Sequence, residues 1–99
     1  MIIIAAKVVV RSECVQQFKD LLPPLIGACR NDEGCIGYEV YESVDSPCGY
    51  FFFEKWATQQ DFDEQLQTKH VQDFLSAAQP LLTAPAEIKQ YSVAGIGPK

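Results

Sequence analysis

An α+β domain of order β-α-β-β-α-β, with helices on one face of a four-stranded antiparallel sheet, is predicted by three observations. Residues 2–10, "IIIAAKVVV", form a β-branched run that is apolar on both parities. Val15, Phe18, Leu22, Leu25, Ile26 and Cys29 recur at helical spacing. "CIGYEVYES" and "YFFFEKW" flank the turn residues "VDSPCG", the pattern of an antiparallel hairpin. This order is the split βαβ, or ferredoxin-like, arrangement. A chain of 99 residues fits one domain spanning 1–99, near the size at which a single core suffices.

Taken in order, the first strand places Ile2, Ile4, Val8 and Val10 on one side and Ile3 and Val9 on the other, so both faces need cover. Ser12 is the expected N-cap of a helix over about residues 13–31. Pro23 and Pro24 fall inside it, and since each removes a backbone donor and crowds the preceding turn, a kink or break is expected there. "NDEG", residues 31–34, ends the segment, with Gly34 in a left-handed conformation. After the hairpin, Thr58 caps the next helix, with Asp61 three residues on. Phe62 and Leu66 face inward, and Val71, Phe74, Leu75 and Ala78 continue an apolar stripe. Pro80 and Pro85 bracket a loop, "EIKQYSV" (87–93) is the last strand, and "AGIGPK" (94–99) is a tail.

Helices on one face leave the other face of the sheet uncovered. The strands at 2–10 and 50–56 are too apolar on both parities for a half-solvated sheet, so a second copy packed sheet to sheet is expected. Composition narrows the remaining partners. Eight basic residues against 13 acidic ones give a net charge of −5 with no Lys/Arg cluster, which argues against nucleic acid. The apolar opening lacks a basic leader and is too short to span a bilayer, so no membrane partner and a cytoplasmic location are expected. Cys14, Cys29, Cys35 and Cys48 show no C-x-x-C spacing, and with His70 as the single histidine no ordinary Cys/His zinc pattern exists, so no metal is expected. The cysteines read as small buried hydrophobes, and a Cys29–Cys35 disulfide is conceivable only in an oxidising compartment.

Strand alternation puts Tyr50, Phe52, Glu54 and Trp56 on one face and Phe51, Phe53 and Lys55 on the other, with Glu54 and Trp56 about 7 Å apart along the strand. His70 follows Leu66 by four positions and Phe62 by eight, near the inward edge and C-terminal end of the helix that packs back over this strand. A pocket between helix and sheet is thus expected to bring Glu54, Trp56 and His70 together, walled by Tyr50, Phe52, Phe62, Leu66 and Phe74. A carboxylate among aromatics has a raised pKa and an imidazole titrates near neutrality, a combination suited to deprotonating a flat, acidic phenol, quinol or enol. No G-x-G-x-x-G, G-K-[ST] or nucleophile-elbow motif is present. Each residue also has a purely structural reading. His70 would complement a helix C-terminus, Trp56 would be core, Glu54 would pair with Lys7 or Lys89, and Tyr38 and Tyr41 would be sheet packing.

"EGCIGYEVYES" (33–43), "FEKWATQQDFDEQLQTKHVQDF" (53–74) and the proline-bearing "LLPPLIGACR" (21–30) resemble the antibiotic biosynthesis monooxygenase domain family, which includes small quinol monooxygenases. The resemblance covers nearly the whole chain. It implies a dimeric α/β barrel of ferredoxin-like protomers. It also implies oxygenation of phenols or quinols without flavin, haem or metal, the substrate passing an electron to O₂ after losing a proton. Trp56 matches the family's strand tryptophan, Glu54 the glutamate two before it, and His70 the histidine closing the helix. Gln65 stands where many relatives have a further histidine, and Lys69 where they have proline. Haem-degrading and antibiotic-pathway branches use an asparagine near the tryptophan or on the first strand, whereas Asn31 here lies in a loop. The expectation is a cofactor-independent monooxygenase of a small aromatic substrate, with His70 as general base, Glu54 orienting or accepting the proton and Trp56 stacking on the ring. The alternatives are a non-catalytic ligand-binding dimer and a cofactor-free isomerase of a small carbonyl compound, with or without a phosphate. A phosphorylated substrate would need a basic cradle that this acidic chain does not advertise.

Overall fold

The β-branched opening forms β1, Ile2–Val9, in which Ile2, Ile4, Ala6 and Val8 are buried and Lys7 is exposed. The structure is a computed structural model and describes residues 1–94. β2 (Cys35–Glu42) and β3 (Gly49–Trp56) make the hairpin and β4 (Glu87–Ser92) is the last strand. The sheet order is β2-β3-β1-β4 with every pairing antiparallel. Ile2 stands opposite Trp56, Ile4 opposite Glu54, Ala6 opposite Phe52 and Val8 opposite Tyr50. Cross-strand partners share a face, so these residues form one surface, and Tyr38, opposite Glu54 on β2, extends it. Together with the helices below, this is the ferredoxin-like α+β fold expected from the sequence.

α1, Val15–Arg30, follows a 3₁₀ turn at Ser12–Cys14 and buries Phe18, Leu25 and Cys29 against the sheet. Ser12 is not its cap. Arg11 precedes the 3₁₀ turn, and the Ser12 hydroxyl donates instead to the Glu13 carboxylate at 3.5 Å. Nor do Pro23 and Pro24 break α1, which is continuous across them. Both prolines are exposed, so the carbonyls they leave without N–H partners can be hydrated while Phe18, Leu25 and Cys29 anchor the buried side. Gly34 has φ 81°, as its turn requires, and a Cβ there would collide with the Asp61 side chain.

Thr58 caps α2 (Gln59–Leu66), its hydroxyl accepting from the Asp61 amide at 3.0 Å. The helix expected to run on to His70 stops at Leu66. Thr68 begins a second one, α3 (Lys69–Ala78), accepting from the Val71 amide at 3.4 Å while donating to the Gln65 carbonyl at 2.7 Å. His70 therefore sits in the first turn of α3, not at a helix C-terminus, and the complementation of a negative helix end does not apply. A 3₁₀ turn at Gln79–Leu81 contains Pro80, and the segment after it is tied to β1 by the Val10–Leu82 bridge and by the Thr83 amide donating to the Val9 carbonyl at 2.9 Å. Of the expected tail, Ala94 is described and residues 95–99 lie outside the described residues.

The core lies between the helices and the even-numbered row of β1. On the other face, Phe51 and Phe53 stack with centroids 6.5 Å apart, Lys55 Nζ lies 5.7 Å from the Phe53 ring, and Tyr41, Phe51 and Tyr91 are exposed. No helix among the described residues is long and apolar enough to cross a membrane. All four cysteines are free. Cys29 is buried, but Cys14, Cys35 and Cys48 are only half-buried.

Candidate active site

Glu54 is 7% exposed on the helix-covered face of β3, and its Oε1 accepts a hydrogen bond from Trp56 Nε1 at 2.9 Å. Two residues apart on a strand is the spacing that lets the indole reach the carboxylate. Burial pushes the Glu54 carboxyl up to about 7, and the Trp56 hydrogen bond, which favours the ionised form, offsets only part of that. The suggested pairing of Glu54 with Lys7 or Lys89 does not occur. Lys7 stands opposite Phe51 and Glu87, and Lys89 opposite Ala5, all on the far face of the sheet.

Glu54 lines a cavity of about 570 Å³ between helices and sheet. Ile4, Ala6, Tyr38 and Phe52 form its floor beside Glu54. Phe18 and Leu25 come from α1, Phe62, Gln65 and Leu66 from α2, and Val71, Phe74 and Ala78 from α3. Leu75 and Ile88, exposed apolar members of the lining, mark its mouth next to residues 82–86. The volume is that of an ordinary small-molecule site, and a mostly apolar wall with few polar groups is its usual character. Phe52 borders this space without filling it.

The expected pocket residues divide. Phe52, Phe62, Leu66 and Phe74 line the cavity. Tyr50 does not; it is buried against Phe18 with ring centroids 5.0 Å apart. Trp56 is fully buried behind Glu54, packed on Phe62 at 6.3 Å, so it cannot stack on a substrate ring and acts only through the carboxylate. His70 does not meet Glu54 and Trp56 in the cavity either. The break before α3 directs it to the α1–β2 turn, where Nε2 lies 2.7 Å from Asp32 Oδ2. The carboxylate can only accept, so Nε2–H donates.

Two cavity residues go beyond the expected set. Tyr38 is 5% exposed, and burial, with Glu54 opposite it, pushes its hydroxyl well above the usual tyrosine range, leaving it a proton donor. Gln65 is buried and accepts from Cys29 Sγ at 3.6 Å. Burial, and then the Asp32 charge, pushes the Cys29 thiol up to about 12. Tyr38 was accessible to sequence reasoning through the hairpin register, which sets it across from Glu54. Gln65 carried no signal of its own.

A helix-covered antiparallel sheet with a buried carboxylate on the wall of an apolar cavity defines a ferredoxin-like α+β protein. Residues 1–77 match the sequence profile described as antibiotic biosynthesis monooxygenase, and the chain belongs to that family. The protein sll1783 of Synechocystis is 32% identical over 93 residues, which are 94% of this chain but 63% of that protein, so the chain spans under two thirds of its length. YcnE of Bacillus subtilis is 27% identical over 88 residues, covering 89% of this chain and 93% of its own. The crystal structure of a conserved protein from Methanosarcina mazei Go1 superposes with a TM-score of 0.88 at 30% identity, covering 91% of this chain and 89% of that one.

Proposed function

We propose that this chain is a monooxygenase of a phenol- or quinol-type aromatic, with Glu54 as the proton acceptor. The observation that carries the reading is a buried carboxyl, ionising at about 7, on the wall of a 570 Å³ apolar cavity. Such a group is poised for proton transfer near neutral pH. The family described as antibiotic biosynthesis monooxygenase supports the oxygenation itself.

Glu54 takes the hydroxyl proton of the bound substrate, and Trp56 occupies Oε1, leaving Oε2 as the accepting oxygen. The electron-rich phenolate then passes one electron to O₂, and the resulting radical pair joins at a free ring C–H para to the oxygen in a phenol, or ortho to it in a quinol. Loss of water from that hydroperoxide turns the C–H into a second carbonyl. In sum, phenol and O₂ give quinone and water, with no external reductant. The proton role moves from His70, expected from the sequence, to Glu54, because Glu54 is the carboxylate on the cavity wall.

A second copy, packed on the face that bears Phe51, Phe53 and Tyr91, belongs to this proposal as the cover of the open sheet face. The isomerase alternative is not favoured, since a phosphorylated substrate needs cations and the cavity lining contains no Lys or Arg.

The test is O₂ uptake by the purified protein with a panel of phenols and quinols and no added cofactor. Uptake with stoichiometric quinone is expected, with kcat/KM rising through about pH 7 as Glu54 ionises. Glu54→Gln should lower kcat about a hundredfold or more. Ligand binding without uptake would leave a non-catalytic binding protein, and turnover that persists without O₂ would leave an isomerase.

A further inference from the structure

Beside the cavity, three side chains from three parts of the fold converge. Cys29 comes from the last turn of α1, Asp32 from the turn that follows, and His70 from the first turn of α3. Their Sγ, carboxylate oxygen and ring nitrogen all lie within 4.8 Å of one another. Gln65 Oε1, which accepts from Cys29 Sγ at 3.6 Å, is a fourth polar atom beside the sulfur. We infer that Cys29, Asp32 and His70 form a binding site for one divalent cation of the zinc type, with Gln65 Oε1 or a water in the fourth position.

The donor set selects the ion. A thiolate sulfur and an imidazole nitrogen suit Zn²⁺ and its borderline-soft neighbours, whereas Mg²⁺ and Ca²⁺ demand oxygen alone. Charge also closes, because one thiolate and one carboxylate balance a divalent cation. Cys29 is fully buried while the Asp32 and His70 side chains retain 17% and 29% exposure, so one side of the site is open to an arriving ion. Plain packing would account for Cys29 alone, and an ion pair for Asp32 with His70. Neither accounts for the sulfur lying at their meeting point.

Three adjustments accompany binding. The 2.7 Å contact of His70 Nε2 with Asp32 Oδ2 is closer than the roughly 3.3 Å between two ligand atoms on a tetrahedral zinc, so a small side-chain rotation must open it. The Cys29 thiol proton leaves to solvent as the sulfur bonds to the metal, the His70 ring shifts its proton from Nε2 to Nδ1 so that Nε2 can bind, and no electron is transferred. Once bound, the ion would tie α3 to the α1–β2 turn, stiffening one wall of the cavity through Gln65. The sequence conceals this site because its ligands are spaced C-x-x-D and then 38 residues to the histidine, unlike the usual Cys/His zinc patterns.

The experiment uses the EDTA-treated 99-residue chain, titrated anaerobically with Co²⁺ as a coloured substitute for Zn²⁺. A thiolate-to-cobalt charge-transfer band that saturates at one Co²⁺ per chain and is bleached by Zn²⁺ is expected. Cys29→Ser should abolish the band and Cys35→Ser should keep it. Asp32→Asn and His70→Ala should each weaken Co²⁺ binding by about a thousandfold, beyond the roughly 10–100-fold loss from an outer-sphere change. The inference is overturned if no such band forms, if the band survives Cys29→Ser, or if the Asp32 and His70 variants titrate like the parent. Should Cys29→Ser fail to fold, the Asp32 and His70 variants decide the matter, since both positions are partly exposed. No outcome depends on oxygenase activity.

Discussion

Glu54 is held between opposing effects. Removal from water favours its neutral form, and the Trp56 N–H favours its anion; burial wins. The consequence for stability has a definite sign. A carboxyl whose folded value is raised from 4.5 to about 7 stabilises the fold fully below about pH 4.5, and that contribution is lost as pH rises through about 7. The loss amounts to about 3 kcal/mol. Glu54→Gln keeps the acceptor for Trp56 but cannot ionise, so its stability relative to the parent should rise by that order between about pH 4.5 and pH 7 and then level off. Urea denaturation of both proteins across this range checks it, and parallel curves would contradict it. Glu54 is legible in the sequence because its parity within "YFFFEKW" sets it on the covered face among aromatics. The roles of its neighbours were less so: Trp56 holds the carboxylate from behind, a difference in depth that alternation along a strand does not encode.

The break between α2 and α3 decides where His70 goes. Thr58 reads plainly as a cap because a polar run follows a strand. Thr68 is hidden because Phe62, Leu66, Val71 and Phe74 keep a helix-like recurrence across the break. The apolar stripe reports which side is inward, and both short helices share that side, so the pattern survives while the axis is interrupted. Thr68 holds the junction through two bonds, accepting from Val71 N and donating to Gln65 O. Thr68→Ala is expected to cost about 1 kcal/mol, a fall of about 5 °C in Tm, because the Val71 amide loses its cap at the start of α3 while the Gln65 carbonyl, at the end of α2, keeps only the Thr68 amide of its two Thr68 donors. An unchanged Tm would show that α3 is positioned by packing alone. The proline pair teaches the converse lesson: a strong local breaker is tolerated when both rings face water and buried residues anchor α1 on either side of them.

At the scale of the whole molecule, the sheet has one face sealed by helices and one bearing Phe51, Phe53, Tyr41 and Tyr91. The fold was legible because period-two and helical recurrences named all four strands and both helical stretches, though not the break inside the second, and antiparallel pairing of the hairpin left little freedom in topology. The cavity was legible only as a place, since its volume depends on how far the helices stand off the sheet. Light scattering should give twice the chain mass, and Phe53→Lys, which sets a charge at the centre of the open face, should shift the population toward monomer; a parent that is monomeric at all concentrations would remove the second copy from the account. The central claim is the ionisation of the buried carboxyl, and the most direct measurement is an NMR titration of the Glu54 side-chain carbon. An inflection close to 7 is expected, moving higher in Trp56→Phe as the donor to Oε1 is lost. An inflection near the ordinary 4.5 would contradict it.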